Sequence, residues 1–75
     1  MPYPTIEDLP ESLRRNLPQH AQEIFRAAFN NAWDRYRALP PAALEERAHR
    51  IAWAAVKRSY RKAGEIWVPR EDGFG

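Results

Sequence analysis

The chain has no cysteine in its 75 residues. A disulfide framework and a thiolate metal site are therefore both excluded as staples for a small fold. Glycine is nearly as scarce, with three residues at 64, 73 and 75. No glycine-rich phosphate loop can be built from those positions. Aliphatic hydroxyl side chains are limited to Thr5, Ser12 and Ser59, none with a recognisable activating base. No apolar run approaches the roughly 18 residues of a membrane span, so a membrane-embedded chain is not expected. Met1-Pro2-Tyr3-Pro4 lacks the basic region and apolar stretch of a signal peptide, and a cytoplasmic location is the expectation.

What is present is aromatic and alanine-rich. Three Trp, three Tyr and three Phe supply a core for a chain that buries only about 60% of its unfolded surface. That density argues against intrinsic disorder. Charge is unevenly placed. Residues 1–46 carry seven acids against five bases, whereas residues 47–70 carry seven bases against Glu65 alone. The second half is thus the candidate for an anionic partner.

Prolines fall at 2, 4, 10, 18, 40, 41 and 69, outside two long periodic segments, as helix interiors require. Asp8-Leu9-Pro10-Glu11 reads as a capping box opening a short helix over about 9–16. Pro18 opens a second helix that reaches about Leu39. Its residues Ala21, Ile24, Phe25, Ala28, Phe29, Ala32, Trp33 and Tyr36 share one side of a 3.6-residue spiral. After Leu39-Pro40-Pro41 a third helix runs to about Ala63, with Leu44, Ala48, Ile51, Ala52, Ala55 and Val56 inward and Gly64 as its C-cap. Two long amphipathic helices on a short turn should pack as an antiparallel hairpin. Ile66-Trp67-Val68 and Tyr3–Ile6 are extended in character, and their pairing would give a two-stranded ribbon made by the termini. The fold class is therefore mainly α, or small α+β if the ribbon forms. Residues 1–70 form a single domain, and 71–75 read as a flexible tail.

Three candidate sites follow from the pattern. His20 with Glu23, and Glu46 with His49, have an i,i+3 spacing seen in di-iron bundles, but His20, Glu23 and Glu46 lie on polar faces and further carboxylates are wanting. No metal and no cofactor are expected. No catalytic residue is assigned either, and the chain is expected not to be an enzyme. The third candidate is a basic stripe on the last helix. Arg47, Arg50, Lys57, Arg58 and Arg61 fall within an arc of roughly 100°, with Trp53 at its edge. Such a stripe, bordered by an aromatic, can follow a phosphate backbone and stack on a base. Cations near a helix C-terminus also offset its macrodipole, a structural role open to Lys57, Arg58, Arg61 and Lys62. The pattern specifies no oligomeric state.

Several ordered blocks carry a family likeness. Met1-Pro2-Tyr3, Asp8-Leu9-Pro10-Glu11-Ser12, Leu17-Pro18-Gln19-His20-Ala21-Gln22, Ala28-Phe29-Asn30, Ala32-Trp33-Asp34, Ala52-Trp53-Ala54-Ala55-Val56-Lys57 and Tyr60 together resemble the ChaB family of small bacterial proteins, which has phage and insect-virus relatives. The likeness spans Met1 to about Trp67. It implies compact helices with a small β element, and a role in regulating cation transport through association with a sodium/calcium–proton antiporter. It implies no catalytic or metal-binding residues. The expected partner is thus a protein, the cytoplasmic face of a membrane antiporter. Nucleic acid is the alternative, supported by family members fused to nucleic-acid-binding modules. Leu39-Pro40-Pro41 is shorter than the charged connection of better-known members.

Overall fold

The computed structural model describes residues 2–70. The expected tail at 71–75 lies outside them. A 3-10 turn, Ile6–Asp8, is followed by α1 (Glu11–Asn16), α2 (Gln19–Arg35), α3 (Pro41–Ser59), β1 (Tyr60–Ala63) and β2 (Ile66–Pro69). The mainly α class and the helical hairpin are as the periodicity requires.

The first helix starts later than the capping box would place it. Asp8 is spent on the residues before it, accepting from the Thr5 amide at 3.1 Å and the Thr5 hydroxyl at 2.9 Å. Pro10 then occupies the N-cap of α1, and Glu11 pairs forward with Arg15 at 3.1 Å. At the other end of α1, Gln22 donates to the free carbonyls of Leu17 at 2.8 Å and Arg14 at 3.2 Å. One side chain of α2 thus caps its neighbour.

α2 stops at Arg35, short of Leu39. Pro40 disfavours a helical residue before it, and the chain uses Tyr36 to Leu39 as a turn closed by Leu39 N–H to Tyr36 carbonyl at 3.0 Å. α2 and α3 then bury Ala21, Phe25, Phe29 and Ala32 against Ala48, Ala52 and Val56. Small residues at the seam let the two backbones approach. Leu9, Leu13 and Leu17 close one end of this core, and Tyr60 is buried with them.

The ribbon is present, but the termini do not form it. β1 pairs antiparallel with β2, Tyr60 opposite Pro69 and Lys62 opposite Trp67. α3 therefore ends at Ser59 rather than Ala63, because Tyr60 onward supplies the strand that Ile66-Trp67-Val68 needs. Gly64, with φ +68, serves the turn between strands instead of capping a helix. The helix end is closed from the far side of the ribbon. Arg70 donates through Nε to the Lys57 carbonyl at 2.7 Å and through its amide to the Ser59 carbonyl at 2.9 Å. Tyr3, the expected partner of the C-terminal strand, is held by α2. Its amide donates to Asn30 Oδ1 and its carbonyl accepts from Asn30 Nδ2, both at 2.9 Å. Its ring lies on Phe29, centroids 4.9 Å apart.

Candidate functional site

The outer face of α3 is built around Trp53. Its position at the edge of the buried stripe leaves the indole half-buried. One edge meets Phe25 at 5.4 Å between centroids, and another ring, Trp67 of β2, lies 5.4 Å away. The indole Nε1–H donates to His49 Nε2 at 3.0 Å. An accepting Nε2 requires the neutral tautomer with its proton on Nδ1. His49 is exposed, yet its ring also packs edge-on against Phe25 at 5.6 Å. A shallow strip runs along this face from Ala42 to Lys57, with His49, Trp53 and Ala54 along it. Glu45 and Glu46 flank it toward the start of α3, and Arg50 and Lys57 follow toward its end.

The five cations of the basic stripe and Trp53 are not all placed along this strip. Arg47 places its guanidinium over the Tyr36 ring, 5.0 Å from the centroid, a cation–π contact with α2's end. Arg50 pairs with Glu46 at 3.2 Å, both side chains exposed. Such an exposed i,i+4 pair contributes little to stability and is readily exchanged. Lys57 and Arg58 are exposed in the last turn. Arg61 has left the helix and sits on β1 opposite Val68. Trp53, Arg50 and Lys57 therefore share the strip, while Arg47 and Arg61 stand apart from it.

Two residues outside the stripe join Trp53. Lys62 and Trp67 are cross-strand neighbours. With Lys57, Trp53, Ser12 and Asn16 they line a second concavity against α1. A helical wheel continued to Ala63 hides this grouping. The period-2 alternation of Ile66-Trp67-Val68 was the available signal, since it sets Trp67 on the face opposite Ile66.

The two His–Glu spacings do not converge. His20 faces Glu23 at 3.7 Å on the exposed side of α2, and Glu46 is engaged with Arg50. Among the described residues no group of three or more His, Asp or Glu is placed to hold a metal ion. No helix among them is long and apolar enough to cross a membrane.

Against this geometry stand the likenesses to known proteins. The sequence profile of the ChaB family matches residues 9–70. "Putative cation transport regulator ChaB" of Escherichia coli strain K12 is 51% identical over 69 residues, 87% of this chain and 91% of that protein. The protein of the same name from Shigella flexneri matches to the same extent. The NMR solution structure of a protein bearing that name superposes with a TM-score of 0.83 at 47% identity, covering 93% of this chain and all of the other.

Proposed function

The chain belongs to the ChaB family, and from that premise we propose that it is a non-enzymatic regulator of cation transport that works by binding a protein. What carries the proposal is the reach of the likeness, 91% of a relative named as a cation transport regulator. A relationship that long leaves no large part of the relative without a counterpart here.

The strip centred on Trp53 is the contact surface in this reading. A half-exposed Trp among charges of both signs has the composition of an interface anchor. The partner is the cytoplasmic face of a cation–proton antiporter. The test is ion exchange in everted membrane vesicles containing that transporter, with and without added protein. Ala54→Arg is the informative variant, because Ala54 is exposed in the strip and its replacement leaves the core untouched. The chain should change the exchange rate, and Ala54→Arg should remove the change while circular dichroism stays normal. An unchanged rate with wild-type protein refutes the reading.

Nucleic-acid binding ranks second. Arg47 is engaged by the Tyr36 ring and Arg61 sits on β1 rather than on the helix, which leaves the stripe discontinuous as a phosphate track. Arg50→Glu with Arg61→Glu should abolish any duplex or single-strand affinity measured at low salt.

A further inference from the structure

The last turn of α3 and the β1–β2 ribbon together carry two features that the core does not need. The first is charge. Lys57, Arg58, Arg61, Lys62 and Arg70 fall within residues 57–70 with Glu65 as the one acid of that stretch, and Glu71 and Asp72 follow directly in the sequence. All five cations are exposed, and none is in an ion pair among the described residues. The second is Ile66, the only exposed large hydrophobic side chain among the described residues, at 59%. It sits directly after the Gly64–Glu65 turn, at the tip of the ribbon.

Isolated exposed aliphatics are ordinary on protein surfaces. Here the aliphatic is at the tip with Arg61 and Lys62 beside it, while Lys57, Arg58 and Arg70 lie at the base of the ribbon. Arg61 and Lys62 are consecutive strand residues, so they project to opposite faces of the ribbon. Each lies within two residues of the tip pair, Ala63 opposite Ile66. Lys57 lies beside Lys62 on the helix side, and Arg70 is tethered to the Lys57 carbonyl. A flat partner met by one ribbon face would engage only half of these charges. A planar anionic surface met end-on would engage both sides at once, with Ile66 entering between them.

We propose that the β1–β2 hairpin tip docks end-on at an anionic lipid bilayer, Ile66 inserting at the headgroup level and Arg61 and Lys62 reaching phosphates on either side. Long cationic side chains beside a single inserted aliphatic give shallow, reversible binding. Each cation near an anionic leaflet contributes about 5-fold in affinity, and the contribution fades within a Debye length. Glu65, in the turn, opposes docking by a similar factor. This surface adjoins the Trp53 strip through Lys57 and Lys62, but the proposal does not depend on which protein the strip binds.

The test is co-sedimentation of the full chain with vesicles of phosphatidylcholine alone and of phosphatidylcholine mixed with phosphatidylglycerol. Binding is expected on the mixed vesicles, not on the neutral ones, and should weaken as salt rises. Arg61→Gln with Lys62→Gln should lower affinity about 25-fold, and Glu65→Gln should raise it about 5-fold. Ile66→Ser should lower it about 5- to 10-fold at any salt concentration. All four sites are exposed, so the fold should survive each change. Equal binding to neutral vesicles, no binding to anionic vesicles at low salt, or an Ile66→Ser variant that binds like wild type would each overturn the proposal. Retention on DNA but not on anionic vesicles would also overturn it, and would return these cations to a nucleic acid.

Discussion

Asn30→Ala should loosen the N-terminal segment and lower the stability of the whole domain. Asn30 makes both of its amide bonds with the backbone of Tyr3, each at 2.9 Å. Neutral hydrogen bonds of this kind contribute about 0.5–1.5 kcal/mol each, so losing both costs about 1–3 kcal/mol. Alanine returns up to about 0.7 kcal/mol as the better helix former. The expected net loss is about 0.3–2.3 kcal/mol, and a 75-residue domain has only about 4–11 kcal/mol to lose. The upper end applies if the Tyr3 ring lifts from Phe29, which is 1% exposed beneath its neighbours. Urea unfolding followed by circular dichroism gives the magnitude, and amide exchange at Tyr3 gives the location. Asn30→Asp is the diagnostic companion. It keeps an acceptor for the Tyr3 amide but sets a carboxylate oxygen against the Tyr3 carbonyl, so it should destabilise at least as much as alanine. A neutral Asn30→Ala, or an Asn30→Asp more stable than it, refutes the claim that this pair straps the N-terminal segment to α2.

Ala48→Leu places a larger side chain at a fully buried seam position and should cost about 1–3 kcal/mol by overpacking α2 against α3, read as a lower urea midpoint. Gly64→Ala meets open space, so its cost is the left-handed backbone alone, about 1 kcal/mol; amide exchange in β1 and β2 should rise, and Gly64→Asn should be milder. Tyr3 gives an alkaline signature. Burial first, and the Glu45 carboxylate second, raise its phenol above the ordinary 10.0. The folded state thus holds the proton more tightly than the unfolded chain. Its contribution is complete below about pH 10 and is lost as pH climbs through the raised folded value. Tyr3→Phe should flatten that alkaline decline in thermal stability, and an unchanged profile would show that Tyr3 is not its source.

The helices were readable because their cause is repetitive. Ala21, Phe25, Phe29 and Ala32, and Ala48, Ala52 and Val56, recur at three- and four-residue steps, and all are buried. The ends were not readable to the same degree because single competing contacts decide them. Asp8 serves Thr5 instead of the next helix. Tyr60 leaves the spiral to pair with the strand at 66–69. The second of these moved the candidate site. Continuing the spiral past Ser59 put Arg61 in line with Arg50 and Lys57, whereas the strand turns Arg61 toward Val68 and brings Lys62 to Trp53 and Trp67. Tyr3's attachment to Asn30 lay in the sequence as a pair of residues 27 apart, with no local pattern to announce it.

Removing every residue whose identity folding already explains leaves a short remainder. The seam accounts for Ala21, Ala32, Ala48, Ala52, Phe25 and Phe29, Pro40 and Pro41 for the reversal, Gly64 for the ribbon turn, and Arg70 for the end of α3. Gln22 and Asn30 are accounted for by the neighbours they tie down. Trp53, Lys57, Lys62 and Ile66 are not accounted for in this way. A smaller apolar side chain at 53 would cover Phe25, and the ribbon turn would close without an exposed Ile66. Nothing in the packing calls for two lysines beside the Trp53–Trp67 pair. Exposed apolar surface is a cost in water unless a partner covers it. The two contact surfaces inferred above use these four residues, of which Trp53 alone also packs against the core. Each can therefore be abolished by changes such as Ala54→Arg or Ile66→Ser that leave the fold intact, which separates a failure of function from a failure to fold.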